Sequence, residues 1–270
     1  MDLVRNGSKV HETFRSIARC PNVQPCLEAR RTNHPCYDIV NHQVAVWGVT
    51  SYADFQLPEP WTGQIDRAPI LFVGSNPSIG KDRHSVGSSS DEEVWDSHHN
   101  VFSGKLKQYT WKGKYTVDVG GIRSKRPVPT WAFVINRARE LIPQRDVIPG
   151  VDFALTEVVH CKSLAQIGVR RAVTTCTELH FDEVLRVAAA SVIVAMGDAR
   201  GPIASRCGFK STIQVGAASL GGRDRLAIFI GHPTGPEFRK FSDVCPDDLP
   251  RLRAAVSLAL QTSGAAISTD

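Results

Sequence analysis

The sequence predicts an α/β protein, a three-layer α/β/α sandwich around a central, mostly parallel, four-stranded sheet. Three observations point there. Four short runs are apolar nearly throughout: Pro69-Ile70-Leu71-Phe72-Val73-Gly74, Phe153-Ala154-Leu155-Thr156-Glu157-Val158-Val159, Ala190-Ser191-Val192-Ile193-Val194-Ala195-Met196 and Leu226-Ala227-Ile228-Phe229-Ile230. Strands that lack polar alternation are buried on both faces, which is the habit of parallel sheets covered by helices. Helix-length segments separate the runs, as parallel connections require. Finally, two of the runs lead into a Gly followed by a polar side chain and a Pro.

Taken in order, residues 11–18 read as a short helix, followed to about residue 64 by polar, Pro-containing chain with three cysteines. The first strand ends at Gly74. Residues 79–129 read as an insertion. It holds the polar run Gly87-Ser88-Ser89-Ser90-Asp91-Glu92-Glu93 and a basic stretch, Lys105, Lys107, Lys112, Lys114, Arg123, Lys125 and Arg126, opposed by Asp118 alone. Helices are expected over 130–141, 177–189 and 198–206, between the later strands, and an amphipathic helix over 247–260 closes the chain. No repeat or low-complexity tract interrupts this. The whole of 1–270 reads as one domain, with 1–64 packed on it as a cysteine-containing N-terminal region.

The length, 270 residues with 42% hydrophobic content, suits one large core rather than two full domains. A net charge of +5 and a pI near 8.9 favour a polyanionic partner without proving one. Met1-Asp2-Leu3-Val4-Arg5-Asn6-Gly7 has no apolar core of the signal-peptide kind, and no later run reaches bilayer-spanning length. The expectation is a soluble, cytoplasmic monomer with no membrane partner. Seven cysteines then call for metal ligation or simple burial, because cytosolic thiols stay reduced and seven cannot close as pairs.

In open parallel sheets, ligands bind beyond the carboxyl ends of the strands. Gly74-Ser75-Asn76-Pro77-Ser78 leaves the first strand there, and Gly231-His232-Pro233-Thr234 leaves the last. Gly permits close backbone approach and Pro restricts each turn, so Asn76 and His232 are presented toward one crevice. Each loop alone also reads as an ordinary turn.

The two loops resemble the signature motifs of the uracil-DNA glycosylase superfamily, Gly-x-Asn-Pro-Gly after the first strand and His-Pro-Ser after the last. Val101-Phe102-Ser103-Gly104 is similar to the family's Phe-x-Gly segment. Thr156-Glu157-Val158-Val159-His160-Cys161-Lys162 and Val192-Ile193-Val194-Ala195-Met196-Gly197 resemble two strands of its bacterial iron–sulfur branch. These landmarks span roughly residues 15 to 240 in the family's order. The resemblance implies a hydrolase of DNA base-excision repair, a monofunctional glycosylase that flips uracil out of DNA, cuts its N-glycosidic bond and leaves an abasic site. It implies that Asn76 positions the attacking water and that His232 stabilises the departing base at O2. Gly74, Ser75, Phe102 and Glu157 would line the base site, with Phe102 stacking on the base. Lys162, Arg170, Arg171, Thr234, Phe238 and Arg239 would contact DNA, Phe238 or Arg239 as a wedge unless Phe238 simply tucks under the final helix.

Cysteine spacing alone, Cys20-x5-Cys26 and Cys161-x14-Cys176, fits a [4Fe-4S] cluster, a structural zinc or ordinary buried thiols. The resemblance implies a [4Fe-4S] cluster on Cys20, Cys26, Cys161 and Cys176. The family's first pair is closer together, which leaves Cys36 as a reserve ligand, while Cys207 and Cys245 read as structural. Glu157 replaces an Asn of the uracil-specific branch. An ionised Glu accepts from N3–H and a protonated one donates to O4, so relaxed selectivity toward other deaminated or oxidised bases is expected. Two rivals stand beside the glycosylase: a non-catalytic nucleic-acid-binding module using the basic stretch, and covalent capture of the abasic product by His84, His98 or His99.

Overall fold

The structure is a computed structural model that describes residues 2–79, 85–102, 109–117, 122–210, 214–233, 235 and 240–267. In chain order it runs α1 (Asp2–Ala18), α2 (Val23–Leu27), α3 (Tyr37–Trp47), β1 (Ile70–Gly74), α4 (Asp91–His99), β2 (Tyr109–Trp111), β3 (Tyr115–Val117) and α5 (Pro129–Leu141). Then follow β4 (Phe153–Glu157), α6 (Val169–Cys176), α7 (Asp182–Val187), β5 (Val192–Met196), α8 (Arg200–Arg206), β6 (Val215–Leu220), β7 (Arg223–Ile230), α9 (Phe241–Val244) and α10 (Leu249–Ile267). Among the described residues no helix is long and apolar enough to cross a membrane.

The sheet order is β4-β1-β5-β7-β6. The first four strands are mutually parallel, with Gly74 opposite Glu157, Val73 opposite Ala195 and Met196 opposite Ile230. Alternate residues of each strand enter two separate cores, which makes the layers explicit. Leu71, Val73, Ile193, Ala195 and Ala227 join Phe14 and Ile17 of α1, Ile39 of α3 and Leu185 of α7 on one face. Ile70, Phe72, Val192, Val194 and Ile228 join Phe133 of α5 and Leu252 of α10 on the other. A strand covered twice has no solvent face to encode, hence the unbroken apolar runs.

The sheet has five strands rather than the expected four. β6 pairs antiparallel with β7 through a turn at Gly221-Gly222, whose φ angles of +60° and +76° suit glycine. Val215-Gly216-Ala217-Ala218-Ser219-Leu220 is too small and mixed to read as a strand by itself, and Gly-Gly was the available signal. β7 also begins earlier than expected, at Arg223. The guanidinium of Arg225 is buried there and donates to Leu185 O and Ala188 O at the end of α7 (2.8 and 2.7 Å).

Two further differences arise from capping and from packing. The polar run within the expected insertion leads into α4, a helix not among the sequence expectations. Ser90 Oγ accepts from the Glu93 amide, and the Glu93 carboxylate accepts from the Ser90 amide, a reciprocal capping box. The helix expected over 177–189 starts earlier, at Val169, and is interrupted by a π-helical turn, Thr177–Phe181, directly after Cys176.

Candidate active site

Read in chain order, the parallel strands lie 2-1-3-4 across the sheet, so the winding reverses between β1 and β5. Loops leaving two such strands diverge to opposite faces and open a crevice at their carboxyl ends. Asn76 stands two residues beyond β1. Its amide Nδ2 donates to Pro77 O (2.9 Å) and to Ser163 Oγ (3.1 Å), which commits the nitrogen and leaves Oδ1 as the acceptor available to a water. The amides of Val158 and Val159 donate to Gly74 O and Ser75 O (3.0 Å each), so the segment after β4 is zipped to the motif loop beyond the strands themselves.

His232 follows β7, the next strand but one from β1, yet it leans back toward the reversal point. Its ring lies on Gly197 at the end of β5. A Cβ at position 197 would stand 3.0 Å from His232 Cδ2 and 3.2 Å from its Cβ, and Gly197 holds a φ of +55°. The His232 carbonyl accepts from the Gly235 amide (2.9 Å). Thus the two loops singled out by sequence leave the same carboxyl-terminal edge of the sheet, on either side of β5, and His232 is turned toward the end of that strand.

Glu157 closes the β4 side. Its Cγ and Oε1 lie 3.5 and 3.6 Å from where a Cβ on Gly74 would stand, so the carboxyl covers the start of the motif loop. The residue keeps part of its surface open to the crevice. Enough protein surrounds it, however, that burial, then the nearby Glu59, push the carboxyl up to about 8, with Lys162 pulling the other way.

Glu59 has no counterpart among the sequence expectations. It arrives because residues 59–62 run along the free edge of β4: Thr62 exchanges two backbone hydrogen bonds with Leu155, and Thr156 Oγ1 donates to Pro60 O (2.7 Å). His160 then grips Glu59 at both backbone ends, accepting from its amide (2.9 Å) and donating from Nδ1 to its carbonyl (2.8 Å). Lys162 Nζ meets Glu59 Oε1 at 2.6 Å. Lys162 is therefore buried, 5% exposed, and turned inward on a carboxylate rather than along phosphates as the sequence reading placed it. Of the other two cations on that segment, Arg171 is bound to Asp38 and to Asn33 O, and Arg170 is exposed on α6.

Phe102 is not at this crevice. Its ring packs on Phe153 (5.7 Å) and Trp131 (6.0 Å) and against Gly150. Phe153 opens β4, whereas Glu157 ends it, about 13 Å away at strand rise. The stacking role expected for Phe102 therefore has no geometric support; its ring is drawn off by the second core. His98 is buried against Phe14, and the His99 ring stacks on Trp95, so neither faces the crevice as a trap for an abasic product would. Ser103, Gly104, Lys105, Lys107, His84, Thr234, Phe238 and Arg239 lie outside the described residues.

Five cysteines assemble beside the site. Cys161 follows the His160 clamp, Cys176 ends α6, and Cys20, Cys26 and Cys36 come from the N-terminal region. All five are unpaired thiols. Burial pushes every one of them up, and each is raised further by neighbours in the set, apart from Cys26. Cys161 feels Cys20, Cys176, Cys36 and Cys26; Cys36, at about 12, feels Cys20 and Cys26; Cys20, at about 11, feels Cys26. The His160 amide donates to Cys176 Sγ (3.4 Å), and His180 Nε2 lies 3.3 Å from Cys20 Sγ. Thiols packed together cannot ionise side by side unless a cation compensates them, and a soft metal centre is the cation that sulfur prefers. The donor set thus fits a thiolate-bound metal group in chemistry. Among the described residues, no three His, Cys, Asp or Glu side chains are grouped as they stand to chelate a single ion. Cys245 is on the opposite face of the sheet, in the other core. The chain matches no protein-family model and no curated protein.

Proposed function

We propose that the chain is a DNA glycosylase of the uracil-DNA glycosylase type, hydrolysing the N-glycosidic bond of uracil and of related deaminated or oxidised bases and leaving an abasic site. The observation that supports this reading is that Asn76 leaves β1 beside the point where the sheet reverses its winding, while His232, beyond β7, is seated on Gly197 at the end of β5 between them. A base inside a duplex is out of reach of such a crevice, so it enters by flipping, at a cost of a few kcal/mol. As the bond breaks, the sugar gains positive and the base negative charge. His232, propped on Gly197, donates to the base where that charge accumulates. Asn76 holds its Oδ1 toward the water that attacks the sugar; an amide orients water without deprotonating it, so its contribution is positional. Glu157 meets the edge of the base.

The cysteine set supports a [4Fe-4S] cluster held by Cys161, Cys176, Cys20 and either Cys26 or Cys36. When bound, such a cluster would crosslink the N-terminal region, the segment after β4 and the end of α6, and would take no part in bond cleavage. His160 and Lys162, which flank Cys161, hold Glu59, so the same anchorage would bear on its position.

The test is excision from single- and double-stranded oligonucleotides carrying one uracil, developed by alkali and by a denaturing gel. Asn76→Ala and His232→Ala are each expected to slow excision by on the order of a hundredfold; full rates in both variants overturn the site. A protein–DNA adduct surviving denaturation would favour covalent capture, and binding without excision a non-catalytic module. Iron and sulfide are expected after anaerobic purification; a colourless, zinc-loaded protein overturns the cluster.

A further inference from the structure

Glu157 ends β4 and Glu59 lies on the segment that runs along the edge of β4, close enough for its charge to act on Glu157, and of the two only Glu59 has an ion-pair partner among the described residues. Lys162 is buried and committed to Glu59 at 2.6 Å. Among the described residues the Glu157 carboxyl has no hydrogen-bond partner, and its Cγ and Oε1 lie 3.5 and 3.6 Å from where a Cβ on Gly74 would stand. Neighbouring carboxyls do not both ionise easily, and the proton stays on the one without a counter-charge. Here that is Glu157, and the upward shift to about 8 caused by burial and Glu59 agrees with the geometry.

We infer that Glu157 reads the base as a neutral carboxylic acid, donating from one oxygen and accepting at the other, so that it matches a base edge that sets an N–H donor beside an acceptor, as a lactam does. A carboxylate offers two acceptors and repels a base carbonyl. The neutral acid offers one donor and one acceptor, the same pair an amide side chain offers. Uracil presents N3–H beside O4, and hypoxanthine N1–H beside O6, so both lactam edges are matched. Because the proton can occupy either oxygen, the acid accepts the two groups in either order, which broadens the set of bases beyond uracil. Glu59, fixed by Lys162 and by both backbone contacts of His160, is the positioning residue that keeps Glu157 protonated. This inference rests on the glycosylase reading above for the identity of the ligand, though not for the protonation state.

The test uses the full chain with 13C-labelled glutamate and free uracil as the probe, between about pH 6 and about pH 9. The Glu157 carboxyl signal, assigned by its loss in Glu157→Gln, is expected to titrate far above the other glutamates, and in Glu59→Gln to titrate lower. Uracil affinity of the wild type is expected to fall about tenfold per pH unit above that titration. In Glu157→Gln, whose amide keeps a donor and an acceptor that do not titrate, affinity should stay level across the range, whatever its absolute value. N3-methyluracil, lacking the N–H, should bind neither protein. Titration of Glu157 in the ordinary carboxylate range overturns the inference, as does the same pH dependence of uracil binding in both proteins. If Glu157 titrates high and uracil binding follows it while no oligonucleotide is cut, the glycosylase reading fails and this one stands. If excision proceeds with identical pH profiles in wild type and Glu157→Gln, this one fails and the glycosylase survives.

Discussion

The ring of His232, beyond the end of β7, is seated on Gly197, beyond the end of β5, so closely that a single added carbon at 197 would come within 3.0 Å of it. Gly197 is thus the floor that aims the histidine into the crevice. Gly197→Ala meets two penalties, a left-handed backbone at φ +55° costing about 1–2 kcal/mol and a displaced ring. Stability measured in urea should fall by about that amount. Excision should fall further, by on the order of tenfold to a hundredfold per folded molecule, because a shift near 1 Å in a catalytic group is enough.

Lys162 and Glu59 stabilise each other only as a pair. Lys162→Met removes the cation at 2.6 Å from the Glu59 carboxylate, 26% exposed at its side chain, and should cost about 1–3 kcal/mol in chemical denaturation. Adding Glu59→Gln removes the stranded charge and should restore most of that loss. If the double variant is no more stable than Lys162→Met alone, the pair is not what Lys162 contributes.

Glu157 makes stability depend on pH in an unusual direction for a carboxylate. Its folded value is raised from 4.5 to about 8, so between those limits the folded protein binds a proton that the unfolded chain has released. The contribution of Glu157 therefore falls as pH rises from about 4.5 to about 8 and is then lost. Burial lowers His160 to about 3 and His180 to about 4, so as pH falls below 6.5 the unfolded chain takes up protons that the folded one refuses, and stability falls there too. These groups together place a maximum near 6.5. Glu157→Gln should remove the slope between about 6.5 and about 8 and leave the acid one, as followed by thermal unfolding across pH.

Phe102 separates a core role from a base-stacking role. Packed on Phe153, Trp131 and Gly150, it should behave as a partly buried core residue, so Phe102→Ala should cost about 2–3 kcal/mol in urea. Its excision rate per folded molecule should be near that of the wild type. A hundredfold loss of rate with little loss of stability would return Phe102 to the base site.

Local pattern in the sequence was enough for the parts of this molecule whose cause is local. Strands buried on both faces must be apolar at every position, so β1, β4, β5 and β7 are legible one by one, and Gly and Pro mark the loops that carry Asn76 and His232. β6 is not legible because an edge strand of small residues has no such signature, and the start of α4 gives no apolar pattern because its capping box is polar. Only the tertiary structure decided what meets what. Glu59 reaches Glu157 across 98 positions because residues 59–62 lie along the edge of β4, and Lys162 turns inward because that carboxylate awaits it. The five cysteines come together from segments more than 120 residues apart for a similar reason, since α6 and the N-terminal region share one core. Spacing encodes which face a residue takes; the charge or thiol it will face is settled by packing, and in this site packing decides which carboxyl keeps its proton.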